Sequence, residues 1–136
     1  MTNSQIVKSF TSSFLRRMDG IVEMRPLPEW TGEIGLKEAQ EDMRCLEQVS
    51  EGVQYPLLVY LPDVTISKEA RRFFADHPPV SACAALLVQS TFQRILGNFF
   101  LGVNKVKIPL RLFTSETEAI LWLNEKKQPV LNPHQV

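Results

Sequence analysis

Leu57-Leu58-Val59-Tyr60-Leu61 runs into Ser67, Ala84-Ala85-Leu86-Leu87-Val88 runs into Ser90, and Ile108-Pro109-Leu110-Arg111-Leu112-Phe113 runs into Ser115. Each is an apolar run, then a polar turn with a helix-capping serine, then a helical pattern. This alternation predicts an α/β domain with a largely parallel sheet. Strands apolar on both faces fit a sheet covered by helices on both sides. In such a sheet the strand-to-helix turns share one edge, where open α/β folds bind ligands or partners.

Upstream, residues 6–28 read as a β-hairpin. Ile6 to Arg16 forms one strand, Asp19-Gly20 is a hairpin signal, and Ile21-Val22-Glu23-Met24-Arg25 returns before Pro26 and Pro28. Glu29 to Gly35 is a loop carrying Trp30. Leu36 to Ser50 is a helix, because Leu36, Ala39, Met43, Leu46 and Val49 recur at three- and four-residue steps; Gly52 follows as its C′ residue. The central strands span Tyr55 to Leu61 and Cys83 to Gln89. Between them, Ser67 caps a helix over Lys68 to Asp76, with Ala70, Phe73 and Phe74 inward, which Pro78-Pro79 ends.

Ser90-Thr91-Phe92-Gln93 and Ser115-Glu116-Thr117-Glu118 fit capping boxes. The helix after Ser90 carries Phe92, Ile95, Leu96, Phe99, Phe100 and Val103, with Gly97 and Gly102 weakening it. The strand Ile108 to Phe113 contains Pro109, which lacks an N–H and so favours a sheet edge or a late start to the strand. The expected architecture is a mixed five-stranded sheet with four helices: an N-terminal β-hairpin, a helix and three strand–helix units. It forms one domain over residues 1–127, with a tail at 128–136.

The 136 residues suffice for one self-sufficient core, and 15 basic against 15 acidic residues leave no net charge. That balance argues against a nucleic-acid binder working through electrostatics. Cys45 and Cys83 fall in apolar patterns and read as reduced core thiols. His77 and His134 lack the close partners of a zinc site, so neither a metal nor another cofactor is expected. The N-terminus lacks a secretory pattern and no apolar run reaches 18 residues, which predicts a soluble cytoplasmic protein.

No catalytic constellation stands out. Asp42, Glu47 and Glu51 read as a polar helix face, and neither histidine is placed as a general base. Asp63, Thr65, Ser67, Ser90, Thr91, Thr114 and Ser115 should crowd the strand C-terminal edge as a regulatory or anion-binding site, since helix N-termini offer free N–H groups. The plainer account of the serines is capping. Arg71, Arg72, Arg94, Lys105, Lys107 and Arg111 form either a basic patch or ordinary solvated charge. Phe92, Phe99 and Phe100, with Leu96 and Leu101, give the third helix more apolar surface than one stripe needs. It is either buried in the core or, with Trp30 or Trp122, part of a candidate dimer interface centred on Phe99 and Phe100.

The element order resembles the fold of sporulation anti-sigma-factor antagonists, the STAS-like fold shared loosely with lipid-binding modules. Within it, the chain is similar to small stand-alone bacterial proteins of uncharacterised function. The resemblance rests on Asp19-Gly20-Ile21-Val22, Ser67-Lys68-Glu69-Ala70-Arg71-Arg72-Phe73-Phe74, Gly97-Asn98-Phe99-Phe100-Leu101, Pro109-Leu110-Arg111-Leu112-Phe113-Thr114 and Glu118-Ala119-Ile120-Leu121-Trp122-Leu123. The antagonists carry a regulatory serine in an Asp-Ser-Ser-Gly turn. The corresponding turn here is Asp63-Val64-Thr65-Ile66-Ser67, which lacks the tandem serines and the glycine and leaves Ser67 nearest that position.

The function expected from these readings is a non-catalytic binding or regulatory module, acting through a protein partner or as a homodimer. The alternative is a binder of a small anionic or lipid-like ligand, at the strand C-terminal edge or in a cleft beside the third helix. A flat apolar face would mark the first; a concave pocket would mark the second.

Overall fold

A computed structural model of the chain describes residues 5–103 and 108–127; Lys105, Lys107, His134 and the tail at 128–136 lie outside them. The strands are β1 (Gln5–Lys8), β2 (Ser12–Arg16), β3 (Val22–Pro26), β4 (Pro56–Tyr60), β5 (Cys83–Leu87) and β6 (Leu110–Phe113). The helices are α1 (Leu36–Ser50), α2 (Lys68–Asp76), α3 (Thr91–Val103) and α4 (Glu116–Lys127). The strands form one sheet in sequence order, antiparallel from β1 to β3 and parallel from β3 to β6. The parallel half matches the expected α/β class.

Among the described residues the sheet therefore has six strands, not five, because the stretch Ile6 to Arg16 is two strands. Ser9 is the reason. Its N–H donates to the Ser12 carbonyl at 2.9 Å, and its Oγ accepts from the Thr11 and Ser12 amides at 3.2 and 3.0 Å. A serine side chain that binds nearby amides offers the backbone an alternative to the ladder. β2 then turns into β3 through Met18–Gly20, with Arg17 N–H on the Ile21 carbonyl at 2.8 Å and Gly20 left-handed at φ 84°. The hairpin loop thus has three residues rather than the two that Asp19-Gly20 implies.

Two faces of the sheet are dressed differently. α4 alone lies over β4, β5 and β6, where Ala119 and Leu123 pack on Ile21, Leu58, Ala85, Leu87 and Phe113. The opposite face carries α1 over β1 and β2 and α3 against β6, with Phe14, Cys45 and Val49 in one cluster and Leu61, Leu86, Val88 and Leu96 in another. Gly97 lets α3 come close: a Cβ there would stand 2.7 Å from Leu112 Cδ2 and 3.3 Å from Val88 Cγ1. Among the described residues β6 pairs only with β5 and begins at Leu110, so Pro109 both precedes an edge strand and delays its start. α2 packs mainly on α1 and stays off the strands; of its residues only Ala70 is buried, while Phe73 and Phe74 are half-buried.

Candidate functional site

The parallel register brings the turns after β4, β5 and β6 to one edge, and Ser90 Oγ donates to Asp63 Oδ1 at 3.0 Å across two of them. The serines there are occupied. Ser67 Oγ accepts from Ala70 N–H at 3.0 Å, Ser90 Oγ from Gln93 N–H at 3.0 Å, and Ser115 Oγ from Glu118 N–H at 3.2 Å. Thr65 Oγ1 donates to Glu33 Oε2 at 3.4 Å, and the Thr65 carbonyl receives Ile34 N–H, which straps the 27–35 loop to this edge. Ser90, Thr91 and Thr114 line a shallow open depression with Gln89 and Arg94. At this edge the three serines cap their helices, and Arg94 adds one cation beside them.

On capping energetics, Ser67→Ala should lower stability by about 1 kcal/mol, and Ser67→Asp should be close to neutral because aspartate also caps. Thermal unfolding of both variants checks this. A partner switched by Ser67→Asp at unchanged stability would reverse the assignment in favour of regulation.

The aromatic residues do not form one patch. Phe100 turns inward, stacking edge-on against Phe74 at 6.2 Å between ring centroids. Phe99 is half-buried under the Arg71 guanidinium, 5.0 Å from its ring centroid. Trp30 is half-buried in the 27–35 loop, and Trp122 packs on Phe113 on the far side of the sheet. What α3 does expose is Phe92, Ile95 and Leu101, with Ile95 65% accessible. Of the described basic residues, Arg71 covers the Phe99 ring and Arg111 lies over the Phe113 ring.

The apolar concave feature lies elsewhere. Because α2 stands off the sheet, an apolar cavity of about 220 Å³ opens beneath it. Met24, Leu57, Val59, Ala84, Leu86 and Leu110 supply the strand side. Met43 and Leu46 of α1, Phe74 and Ala75 of α2, and Phe100 of α3 supply the walls. His77, Pro78 and Pro79 line it where α2 ends; the imidazole Nδ1 sits 2.8 Å from the Pro78 carbonyl and Nε2 3.6 Å from Glu47. The two prolines that stop α2 thereby also bound the cavity.

One carboxylate, Asp42 of α1, lines this cavity and is only 2% exposed. Ser9 Oγ donates to its Oδ1 at 2.5 Å, and Thr11 Oγ1 lies 2.8 Å from Oδ1 and 3.0 Å from Oδ2. Burial pushes its pKa up to about 6, against the pull of the two hydroxyls. Reading Asp42 as part of a polar helix face is therefore incorrect. The signal was present: Ala39, Asp42, Leu46 and Val49 follow the three–four–three spacing of the buried stripe.

A second polar group occupies the α4 side of the sheet. Tyr60 donates to Glu116, Arg25 reaches the Tyr60 hydroxyl at 2.8 Å and Glu23 at 2.9 Å, and its guanidinium lies 3.8 Å from the Tyr60 ring centroid. Burial, then the Glu116 bond, raises the Tyr60 pKa above its ordinary range. Burial also raises both free thiols, Cys45 and Cys83. Among the described residues no helix is long and apolar enough to cross a membrane.

Fold and cavity together define a small α/β domain of the STAS-like type, with a partly open apolar cavity between its sheet and one helical layer. The chain belongs to the family described as a domain of unknown function (DUF7793), whose model matches residues 14–127. A search of curated proteins finds no match. Among solved structures, it is similar to an uncharacterised DUF3478-family protein with a SpoIIAA-like fold from Shewanella loihica PV-4. That match has 15% identity over 88% of this chain and 91% of the other, with a TM-score of 0.52. It is also similar to a protein of unknown function from Arthrobacter sp. FB24, with 30% identity over 81% of this chain and 96% of that one, at a TM-score of 0.31.

Proposed function

We propose that this protein is a non-catalytic binder of a small, largely apolar molecule held in the cavity beneath α2. The cavity carries this reading. Its walls are almost wholly aliphatic and aromatic, and a few polar groups border them, as in small-molecule sites generally. An engineered apolar cavity of about 150 Å³ accommodates benzene, so about 220 Å³ scales to roughly nine non-hydrogen atoms. That is the size of indole or a short-chain aromatic alcohol, below that of a whole lipid. The alternative at the C-terminal edge has less support, since its serines are committed to capping.

Titration with indole, followed by amide chemical shifts, tests the reading. Shifts should concentrate on Met43, Phe74, Ala84 and Phe100. Ala84→Leu, which puts a larger side chain into the strand side of the cavity, should weaken binding at least tenfold while the chain stays folded. Indole shifts confined to the outer surface of α3 would overturn the assignment. Native mass spectrometry of protein purified from its own host would show a retained ligand directly.

The exposed Phe92 and Ile95 on α3, with half-buried Phe99 beside them, favour a second reading: self-association of a cytoplasmic protein as a two-fold homodimer. Sedimentation at micromolar concentration should show a dimer that Ile95→Glu weakens. A monomer at high concentration would remove this reading and leave the cavity untouched.

A further inference from the structure

Resting on the cavity reading, we infer that the ligand carries a hydrogen-bond donor, a hydroxyl or an amine, directed at Asp42, so that the site rejects apolar acids. Hydrogen-bond capacity at Asp42 exceeds what its partners supply. An ionised carboxylate offers about four lone-pair sites and donates nothing. The described partners of Asp42 are the Ser9 and Thr11 hydroxyls, and each has one proton to give. Thr11 lies within reach of both oxygens but can satisfy only one fully. Acceptor capacity is left on a carboxylate that is 2% exposed and borders an apolar chamber.

No described cation offsets the charge, since every described ion pair is made elsewhere. From its own helix Asp42 feels Glu38 and Glu41, both of which disfavour a further negative charge. From the β1–β2 turn only hydroxyls face it, and the exposed Lys8 precedes that turn. From the end of α2 comes His77, which is beside Glu47. A buried charge is costly unless paired and hydrogen-bonded, so an amine or hydroxyl arriving in the cavity would meet an acceptor already placed for it. A carboxylate arriving there would meet repulsion in a poorly screened space.

Four probes of matched size decide the matter: 2-phenylethanol, 2-phenylethylamine, phenylacetate and ethylbenzene, titrated by calorimetry or amide shifts. At pH 7.5 the alcohol and the amine should bind at least tenfold more tightly than phenylacetate, and more tightly than ethylbenzene. At pH 5, where Asp42 carries its own proton, the gap to phenylacetate should narrow. Asp42→Asn should bring the alcohol and phenylacetate within about threefold of each other, and if that variant does not fold, the pH series on the natural chain decides alone. Equal binding of all four probes overturns the inference about Asp42 while leaving the cavity reading intact. Binding of none overturns both.

Discussion

Relative to an Asp42→Asn variant, the natural protein should gain stability as the pH falls from about 8 to about 4, by up to about 3 kcal/mol. Burial raises the folded-state pKa of Asp42 to about 6 from the ordinary 3.8. A group whose folded pKa lies above its unfolded value holds its proton more tightly in the native state. Its stabilising contribution is complete below about pH 3.8 and is lost as the pH rises through about 6. The rise from 3.8 to about 6 corresponds to about 3 kcal/mol, since each tenfold gain in proton affinity is worth about 1.4 kcal/mol. Above that window the native state carries a buried charge held by two hydroxyls.

Thr11→Val should deepen the effect. It removes one of those hydroxyls and costs about 1.5–3 kcal/mol near neutral pH, the range for a hydrogen bond to a charged group, and less at pH 4. Urea unfolding of the three proteins across this pH range provides the measurement. A stability difference between the natural protein and Asp42→Asn that is flat in pH would mean the carboxyl is hydrated in solution.

Phe14→Ala should destabilise the protein by about 3–5 kcal/mol, the range for truncating a fully enclosed phenylalanine. Phe14 is completely buried on β2, where it packs with Val22, Cys45, Leu46 and Val49 and joins the antiparallel strands to α1. Phe92→Ala on α3 removes the same chemical group from a site that is 40% exposed and should cost well under half as much. Chemical denaturation of the two variants separates a core role from a surface role. Equal losses would place Phe92 in a buried contact, such as a dimer interface, under the assay conditions.

Local features of the chain determine most of the elements. α1 and α2 run over Leu36–Ser50 and Lys68–Asp76, the bounds that periodicity, the Ser67 cap and Pro78-Pro79 predict. The capping serines and the edge position of Pro109 follow likewise from residue chemistry within a few positions. Where local reading fails, the competing interaction is sometimes still local. Ser9 binds the amides of Thr11 and Ser12 and breaks one expected strand into two, a turn that β-propensity in a Phe-, Ser- and Thr-rich stretch hides.

The site is another matter. Spacing alone places Asp42 on the inward stripe of α1, but its environment comes from Ser9 and Thr11, 33 and 31 residues away. Whether a buried carboxylate keeps its charge depends on which donors the fold brings to it, and no local pattern encodes that. The cavity is tertiary in the same sense: α2 is amphipathic in sequence, and only its docking on α1 instead of the strands leaves space above Ala84 and Leu86. Phe100 illustrates the division. Its sequence shows an aromatic residue on a helix; packing against Phe74 decides that it lines the chamber rather than an outer face. Periodicity and caps act over three or four residues and are written in the chain, whereas void space and the partners of a buried charge arise from how whole elements settle against one another.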